Sequence, residues 1–319
     1  MTDLSPENAR MTLRLGARGS LLSRLQSGMV ARALEAAHPD VRVELVIIST
    51  SGDQIQDRPL HEFGGKGLFT KELELALLRG EIDFAVHSFK DVPVTMPLVD
   101  TTELVIAAVP VREDPRDVLA CMGGRSLAEL PAGARVGTGS LRRQAQVLAL
   151  RPDVEVLPIR GNVDTRVKKL KSGEYDAVIL AMAGMKRSGL FNPAVMAGID
   201  TDQVLPAAGQ GALALQCRRD AAAVRNVLGA LHDPATAQAV AMEREIVQLL
   251  HGDCHSPIGA LAEIEGDIVR LRAVVARRDG RPPVIRAEVT REIRLADSAA
   301  EGVVEALTQR GAVELLGAD

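Results

Sequence analysis

Two stretches of this chain repeat one another, and the repeat limits the fold before any composition is counted. Residues 14–26 read RLGARGSLLSRLQ and residues 134–146 read ARVGTGSLRRQAQ. Each runs from an apolar strand through a glycine-containing tight turn to a serine and a helix. The repeat resumes in GEIDFAVHS (80–88) and GEYDAVILA (173–181), where Gly-Glu-x-Asp leads into a short apolar strand. Two similar α/β lobes follow. The longer spacing between the two motifs in the first copy comes largely from the polar, glycine-rich residues 50–67, which read as an insertion in lobe one.

Helix N-termini present unpaired N–H groups and the positive end of the helix dipole, so a Ser-capped turn beside an arginine is an anion site in outline. Two such turns can face each other across a cleft. The chain carries 38 Lys+Arg against 42 Asp+Glu, which argues against a wholesale basic face for nucleic acid or an anionic membrane surface. Anion recognition is therefore expected to be local. Only seven of the basic residues are lysine. Arginine forks bind carboxylates bidentately, which a lysine point charge does not.

A chain of 319 residues with 46% hydrophobic content can fill two or three cores. Aromatics are 2% of it, with no Trp, so stacking platforms for single-stranded nucleic acid are hardly available. The N-terminal segment has no apolar signal-like core and no run is long enough to span a membrane, so a cytoplasmic protein is expected. Three cysteines give no disulfide framework, in keeping with a reducing compartment.

Residues 1–10 read as a disordered leader, 11–110 together with 212–231 as lobe one, 111–211 as lobe two, and 232–319 as a C-terminal α+β domain. In lobe one, strands are expected over 12–17, 41–49, 82–87 and 103–109, with helices over 20–37 and 68–79. Lobe two is expected to have strands over 135–137, 154–158 and 177–181, with helices over 140–150 and 162–171. Alternating strands and helices imply mostly parallel sheets. The polar stretch 111–117 reads as one crossing between lobes and 204–217 as the return, a two-strand hinge around a cleft. The last domain is expected to hold a helix over 234–250, strands over 260–265, 268–276 and 283–290, and a helix over 298–309.

Arg142, Arg143, Arg160 and Arg166 all fall where parallel strands end, the place where open α/β sheets bind ligands. With Arg18 and Ser20 from lobe one and Arg187 from lobe two, the cations outnumber what one phosphate needs, and a multiply carboxylated ligand fits better. The loop HSFKDVP (87–93) is stiffened by Pro93 and holds Lys90 and Asp91 at the cleft edge. A carboxylate there could stabilise positive charge developing on a ligand, although the same residues also suit a plain surface turn. Cys121 and Cys217 are expected on apolar strands and read as buried small hydrophobes, whereas Cys254 follows a helix end, beside Asp253 and His255. His251, Cys254 and His255 lack a fourth ligand and match no strong zinc spacing, so no metal is expected. GGKG (64–67) lacks the full phosphate-loop pattern, and no dinucleotide fingerprint follows a strand.

The motifs GGKGLFTKELE, AVHSFKDVP, REDPRDV, VGTGSLRRQ, RGNVDTR, GEYDAVILA and LPAAGQGALALQCR, with the loop around Cys254, closely resemble the porphobilinogen deaminase (hydroxymethylbilane synthase) family in order and spacing. The resemblance implies two lobes like those of periplasmic binding proteins with a double-crossing hinge, plus a small α+β C-terminal domain. It implies a transferase that adds four porphobilinogen units, each losing ammonia, to a dipyrromethane cofactor joined to Cys254 through a thioether. By the same resemblance Asp91 is the catalytic carboxylate. Ser20, Lys90, Ser140, Arg142, Arg143 and Arg160 are cofactor-binding residues, Arg18, Arg166, Arg187 and Gln210 are substrate-binding, and Lys66 and Phe69 belong to a lid. A monomer with no nucleic-acid or membrane partner is implied.

Three positions depart from the family pattern. The first turn, 17–21, has Ala before the arginine and Leu after the serine; Gly139 stands in GTGS; and Asp253 precedes Cys254 while Ser256 precedes Pro257. An acidic neighbour is expected to raise a thiol pKa and repel cofactor carboxylates. The rival reading, a non-catalytic two-lobed receptor for a carboxylate or oxyanion, needs neither Cys254 nor Asp91.

Overall fold

The computed structural model describes residues 10–50, 70–94, 102–253 and 255–317. Lobe one begins β1 (Met11–Arg18), α1 (Leu21–Ala37), β2 (Val41–Ile48), α2 (Lys71–Leu78), β3 (Phe84–Ser88), a 3-10 turn at Phe89–Asp91, and β4 (Leu104–Ala108). Lobe two follows with β5 (Asp117–Ala120), β6 (Arg135–Gly137), α3 (Leu141–Leu150), β7 (Glu155–Leu157), α4 (Val163–Lys171), β8 (Ala177–Ala181), α5 (Met182–Arg187) and β9 (Met196–Gly198). The chain then returns as β10 (Leu213–Arg218) and α6 (Ala222–Gly229). The C-terminal part comprises α7 (Pro234–Leu249), β11 (Ile258–Glu265), β12 (Ile268–Ala276), β13 (Val284–Glu292), α8 (Ala299–Thr308) and α9 (Ala312–Gly317).

The repeat has a shared physical cause. In lobe one Asp83 accepts from the backbone N–H of Arg14 at 2.7 Å and from its guanidinium at 2.8 and 3.1 Å. In lobe two Asp176 accepts from the backbone N–H of Arg135 at 2.8 Å and from its guanidinium at two distances of 3.1 Å. The aspartate of each Gly-Glu-x-Asp thus pins an arginine of its lobe's first parallel strand, midway along β1 and at the start of β6. Its glycine reverses the chain after a helix: Gly80 has φ 67° and Gly173 φ 78°, the left-handed region glycine enters without a Cβ penalty. Both repeat serines cap helices, Ser20 accepting from the Ser23 N–H at 3.3 Å and Ser140 from the Arg143 N–H at 3.5 Å.

The sheets are mixed, which corrects the mostly parallel reading. Their orders are β2-β1-β3-β10-β4 and β7-β6-β8-β5-β9. In each, the first two pairings are parallel and the last two antiparallel. The antiparallel intruders are the strands fed by the crossings, β5 on the way out and β10 on the way back. Sequence reading put Cys121 on an apolar strand without bounding β5, which ends one residue earlier, and it missed β9; they have four and three residues, too few for a period to show. It also missed α5 and α9. The expected helix over 68–79 is described from Lys71, residues 68 and 69 lying outside the described residues.

Each sheet is covered on both faces, in lobe one by separate clusters around Leu15, Leu34 and Leu215 and around Leu73, Leu77 and Ile82. A third core forms between α7, α8 and the antiparallel sheet β11-β12-β13. Cys217 is buried in lobe one's sheet and its thiol is pushed up to about 11 by burial, while Cys121 is buried just past the end of β5. The crossings touch directly, Glu113 N–H donating to the Gly211 carbonyl at 3.2 Å. A Cβ on Gly211, at φ 89°, would lie 2.3 Å from the Glu113 carbonyl oxygen.

Glu243 of α7 locks this hinge to the third core. Its fully buried carboxylate accepts from Arg112 on the outward crossing at 2.6 and 3.0 Å, from Gly209 N–H on the return crossing at 2.7 Å, and from Ala262 N–H of β11 at 2.9 Å. Removing one member of such a pair leaves a buried charge unpaired. Glu243→Ala is therefore expected to lower unfolding stability by about 3–5 kcal/mol, measured as a shift in the denaturant midpoint; a loss below about 1 kcal/mol would contradict this reading.

Candidate active site

The cavity of about 360 Å³ between the lobes is lined by six basic side chains, Arg18, Lys90, Arg143, Arg160, Arg166 and Arg187, against two acidic ones, Asp91 and Asp164. Ser20 lies in the same wall. Lobe one supplies Arg18 at the end of β1, Ser20 at the cap of α1, and Lys90 and Asp91 on the 3-10 turn after β3. Lobe two supplies Arg143 from the first turn of α3, Arg160 before α4, Arg166 within α4 and Arg187 at the end of α5. The two halves of the internal repeat thus face each other.

The charges feel one another. Burial pushes Arg166 down to about 10, with the Arg143 and Arg160 guanidiniums adding to the effect and Asp91 opposing it. Its Nε donates to the Gly161 carbonyl at 2.9 Å. Arg187 is lowered by burial and donates to the Gly211 carbonyl at 2.7 Å, so the return crossing fixes its position. Lys90 is pushed down to about 8, chiefly by burial, with Asp91 pulling upward and Arg143 downward. Crowded, partly desolvated cations of this kind are stabilised by a bound polyanion.

Three expected ligand contacts are placed elsewhere. Arg142 does not line the cavity: it is buried, and its Nη1 donates to Asp117 at 2.8 Å and to the Leu205 carbonyl at 2.6 Å. Gln210 is likewise buried outside the lining, donating to Asp117 at 2.8 Å and accepting from Lys90 Nζ at 3.3 Å and Arg143 Nη2 at 3.5 Å. Ser140 caps α3 and is also absent from the lining. Cys254, Lys66 and Phe69 lie outside the described residues.

Sequence reading missed Asp117, which orients Arg143 through bonds of 2.7 and 3.1 Å. Burial alone would raise its pKa, but Arg142 and Arg143 outweigh this and hold it well below the carboxylate range. It also missed Arg244 of α7, which donates to the carbonyls of Phe89, Val92 and Pro93 at 3.4, 2.8 and 2.6 Å and stacks over the Phe89 ring at 4.8 Å. The turn bearing Lys90 and Asp91 is thereby clamped from the C-terminal domain. No spacing in the sequence could signal either contact, because each spans tens of residues.

The expected conflict at Asp253 takes a different form. Its carboxylate oxygen accepts from the backbone N–H groups of His255 and Ser256, both at 2.9 Å, and from Ser256 Oγ at 3.0 Å. Burial raises its pKa, but these bonds outweigh it and the net shift is downward. The acidic side chain is spent on folding its own loop. Asp253 and Ser256 thus form one hydrogen-bonded unit.

Lys90 sets a pH dependence. In the protein alone it is protonated below about 8 and loses its charge above that value. A bound carboxylate favours the protonated form, so binding takes up a proton above pH 8 and affinity falls by up to about tenfold per pH unit. Titration calorimetry with succinate is expected to show weaker binding at pH 9 than at pH 7, and Lys90→Met should flatten that step; equal slopes in both proteins would refute it.

The family model "Porphobilinogen deaminase, dipyromethane cofactor binding domain" matches residues 13–226, and "Porphobilinogen deaminase, C-terminal domain" matches residues 237–309. A porphobilinogen deaminase of Syntrophobacter fumaroxidans is 48% identical over 84% of this chain and 85% of its own length. One from Xanthomonas oryzae pv. oryzae is 47% identical over 96% of this chain and 99% of its own. A more distant likeness is the methionine-binding protein MetQ, with a TM-score of 0.43 and 14% identity over 73% of this chain and 94% of that one. With both family patterns matched in order across two lobes and a third core, this chain belongs to the porphobilinogen deaminase family.

Proposed function

We propose that this protein joins four porphobilinogen molecules in succession to a dipyrromethane primer on Cys254 and releases the linear tetrapyrrole hydroxymethylbilane by hydrolysis. The observation that carries this reading is the interlobe cavity, where six cations outnumber two acids and one of those acids, Asp91, sits on a clamped turn. Each pyrrole ring brings an acetate and a propionate, so two rings present four carboxylates. A receptor for a single small carboxylate would have no use for so many guanidiniums or for the clamp on Asp91.

The residues present suit the primer. Arg18 and Lys90 from one lobe, and Arg143, Arg160, Arg166 and Arg187 from the other, meet its carboxylates and those of the growing chain. When bound, the dipyrromethane supplies the pyrrole carbon that forms the new carbon–carbon bond. Ser20 Oγ accepts from Ser23 N–H, which leaves its hydroxyl proton to donate to a ligand oxygen. Arg143 is held in one pose by Asp117 and the Ile179 carbonyl, so its fork need not reorganise on binding.

Ammonia leaves porphobilinogen as the bond between its aminomethyl carbon and nitrogen breaks, and positive charge spreads over the remaining methylene-pyrrole. Asp91 faces that charge from the cavity wall and stabilises it as it develops. The surrounding guanidiniums hold the carboxylates away from the reacting carbon. His87, beside this turn, is pushed down to about 4 by burial and paired with Gln216 at 2.9 Å, so it is neutral near pH 7 and adds no cation.

A monomeric, cytoplasmic enzyme is part of the proposal. One chain supplies both cavity walls, and among the described residues no helix is long and apolar enough to cross a membrane. Two measurements test it. Intact mass of the freshly isolated protein should exceed the sequence mass by two condensed pyrrole units, and Cys254→Ala should lose the increment. Asp91→Ala should retain the increment while turnover falls by about 10²-fold or more. Unmodified mass in active protein would overturn the covalent assignment, and turnover within about threefold of wild type would return Asp91 to a surface turn.

A further inference from the structure

A second cleft lies between lobe two and the C-terminal sheet, away from the interlobe cavity. It encloses about 270 Å³, and its charged lining is Arg270, Arg272, Arg286 and Arg310 against Asp202 and Glu288. Arg272 is 6% exposed, and its guanidinium pairs with Asp202 and donates through Nη2 to Thr201 Oγ1 at 2.7 Å and Glu263 Oε2 at 2.8 Å. Its Nε is buried without a hydrogen-bond partner among the described residues. A buried, unsatisfied donor on a charged group is expensive in a folded protein.

The neighbouring guanidiniums are also only partly used. Arg286 donates through Nη2 to Gln146 Oε1 at 2.9 Å and to the Gln203 carbonyl at 2.6 Å. Arg310 donates through Nη1 to the Arg286 carbonyl. Neither Nε and Nη1 of Arg286 nor Nε and Nη2 of Arg310 finds an acceptor among the described residues. Burial and then the Arg272 charge lower the pKa of Arg286, as expected of like charges packed together. Ties between domains explain the bonds that are made; they do not explain guanidiniums from β12, β13 and the turn after α8 lining one cleft with donors left over.

We propose that this cleft is a second anion site, separate from the polymerisation cavity, that takes a compact dianion carrying phosphate or two carboxylates and bridges lobe two to the C-terminal sheet. Its volume corresponds to roughly nine waters at about 30 Å³ each, room for such a dianion. Bidentate guanidinium recognition suits both kinds of oxyanion. Glu288, paired with Arg270 at 2.7 Å, is one carboxylate against which the ligand competes, beside Asp202 on Arg272.

The test is titration calorimetry of the cofactor-loaded protein at low ionic strength, with inorganic phosphate in one arm and malonate in the other. Binding by either probe is expected to weaken at least about tenfold in Arg310→Gln, while kcat and KM without added anion stay unchanged. Glu288→Gln removes one competing carboxylate and should tighten binding two- to threefold, a gain that a misfolded variant cannot mimic. Response to phosphate alone assigns a phosphate-bearing ligand, and response to malonate alone a dicarboxylate. No binding of either probe up to about 50 mM, or an affinity that neither substitution changes, overturns the site.

Discussion

The carboxylate of Asp117 is the contact on which the polymerisation site depends. It is fully buried at the first residue of β5 and accepts from Arg142, Arg143 and Gln210 at 2.8, 2.7 and 2.8 Å. Those partners stand on α3 and on the return crossing, and Gln210 passes the contact on to Lys90 in the other lobe. One ion cluster thus joins the outward crossing, the arginine helix, the return crossing and the turn that carries Asp91. Taken singly, two buried guanidiniums and a buried carboxylate would each cost several kcal/mol; paired with matched hydrogen bonds, they hold a fixed geometry.

Arginines in this chain do two opposed jobs. Arg112, Arg142 and Arg244 are consumed by protein acceptors and set the relative placement of the domains. Arg166 and Arg187 keep a face toward the cavity, each anchored by one carbonyl and carrying a lowered pKa. Repulsion among the second group is a cost of holding a cationic cavity ready for a polyanion, and such strained charge commonly trades stability for function. Arg143 belongs to both groups, since Asp117 fixes it and the cavity exposes it.

The C-terminal domain does more than carry a cysteine. Consecutive residues of α7 reach in different directions, Glu243 to the hinge and Arg244 to the carbonyls around Asp91. The same helix leads into the loop folded by the Asp253 carboxylate. The hinge, the turn bearing Lys90 and Asp91, and the loop folded by Asp253 are therefore all tied to one helix.

The sequence by itself determined the two-lobed plan, because the repeat is local: a Ser cap, a left-handed glycine and an aspartate that pins a strand each act within one lobe's α/β unit. It also determined which arginines sit near strand ends, and Arg18, Arg143, Arg160, Arg166 and Arg187 do meet at the cavity. Tertiary structure decided what no period or spacing encodes. Strands β5 and β10, fed by the two crossings, enter their sheets antiparallel between partners distant in sequence, a pairing no local pattern encodes. Arg142 and Gln210 face Asp117 instead of the cavity, although Arg142 and Arg143 are adjacent in sequence, because neighbours on a helix point about 100° apart and only one could line the cleft.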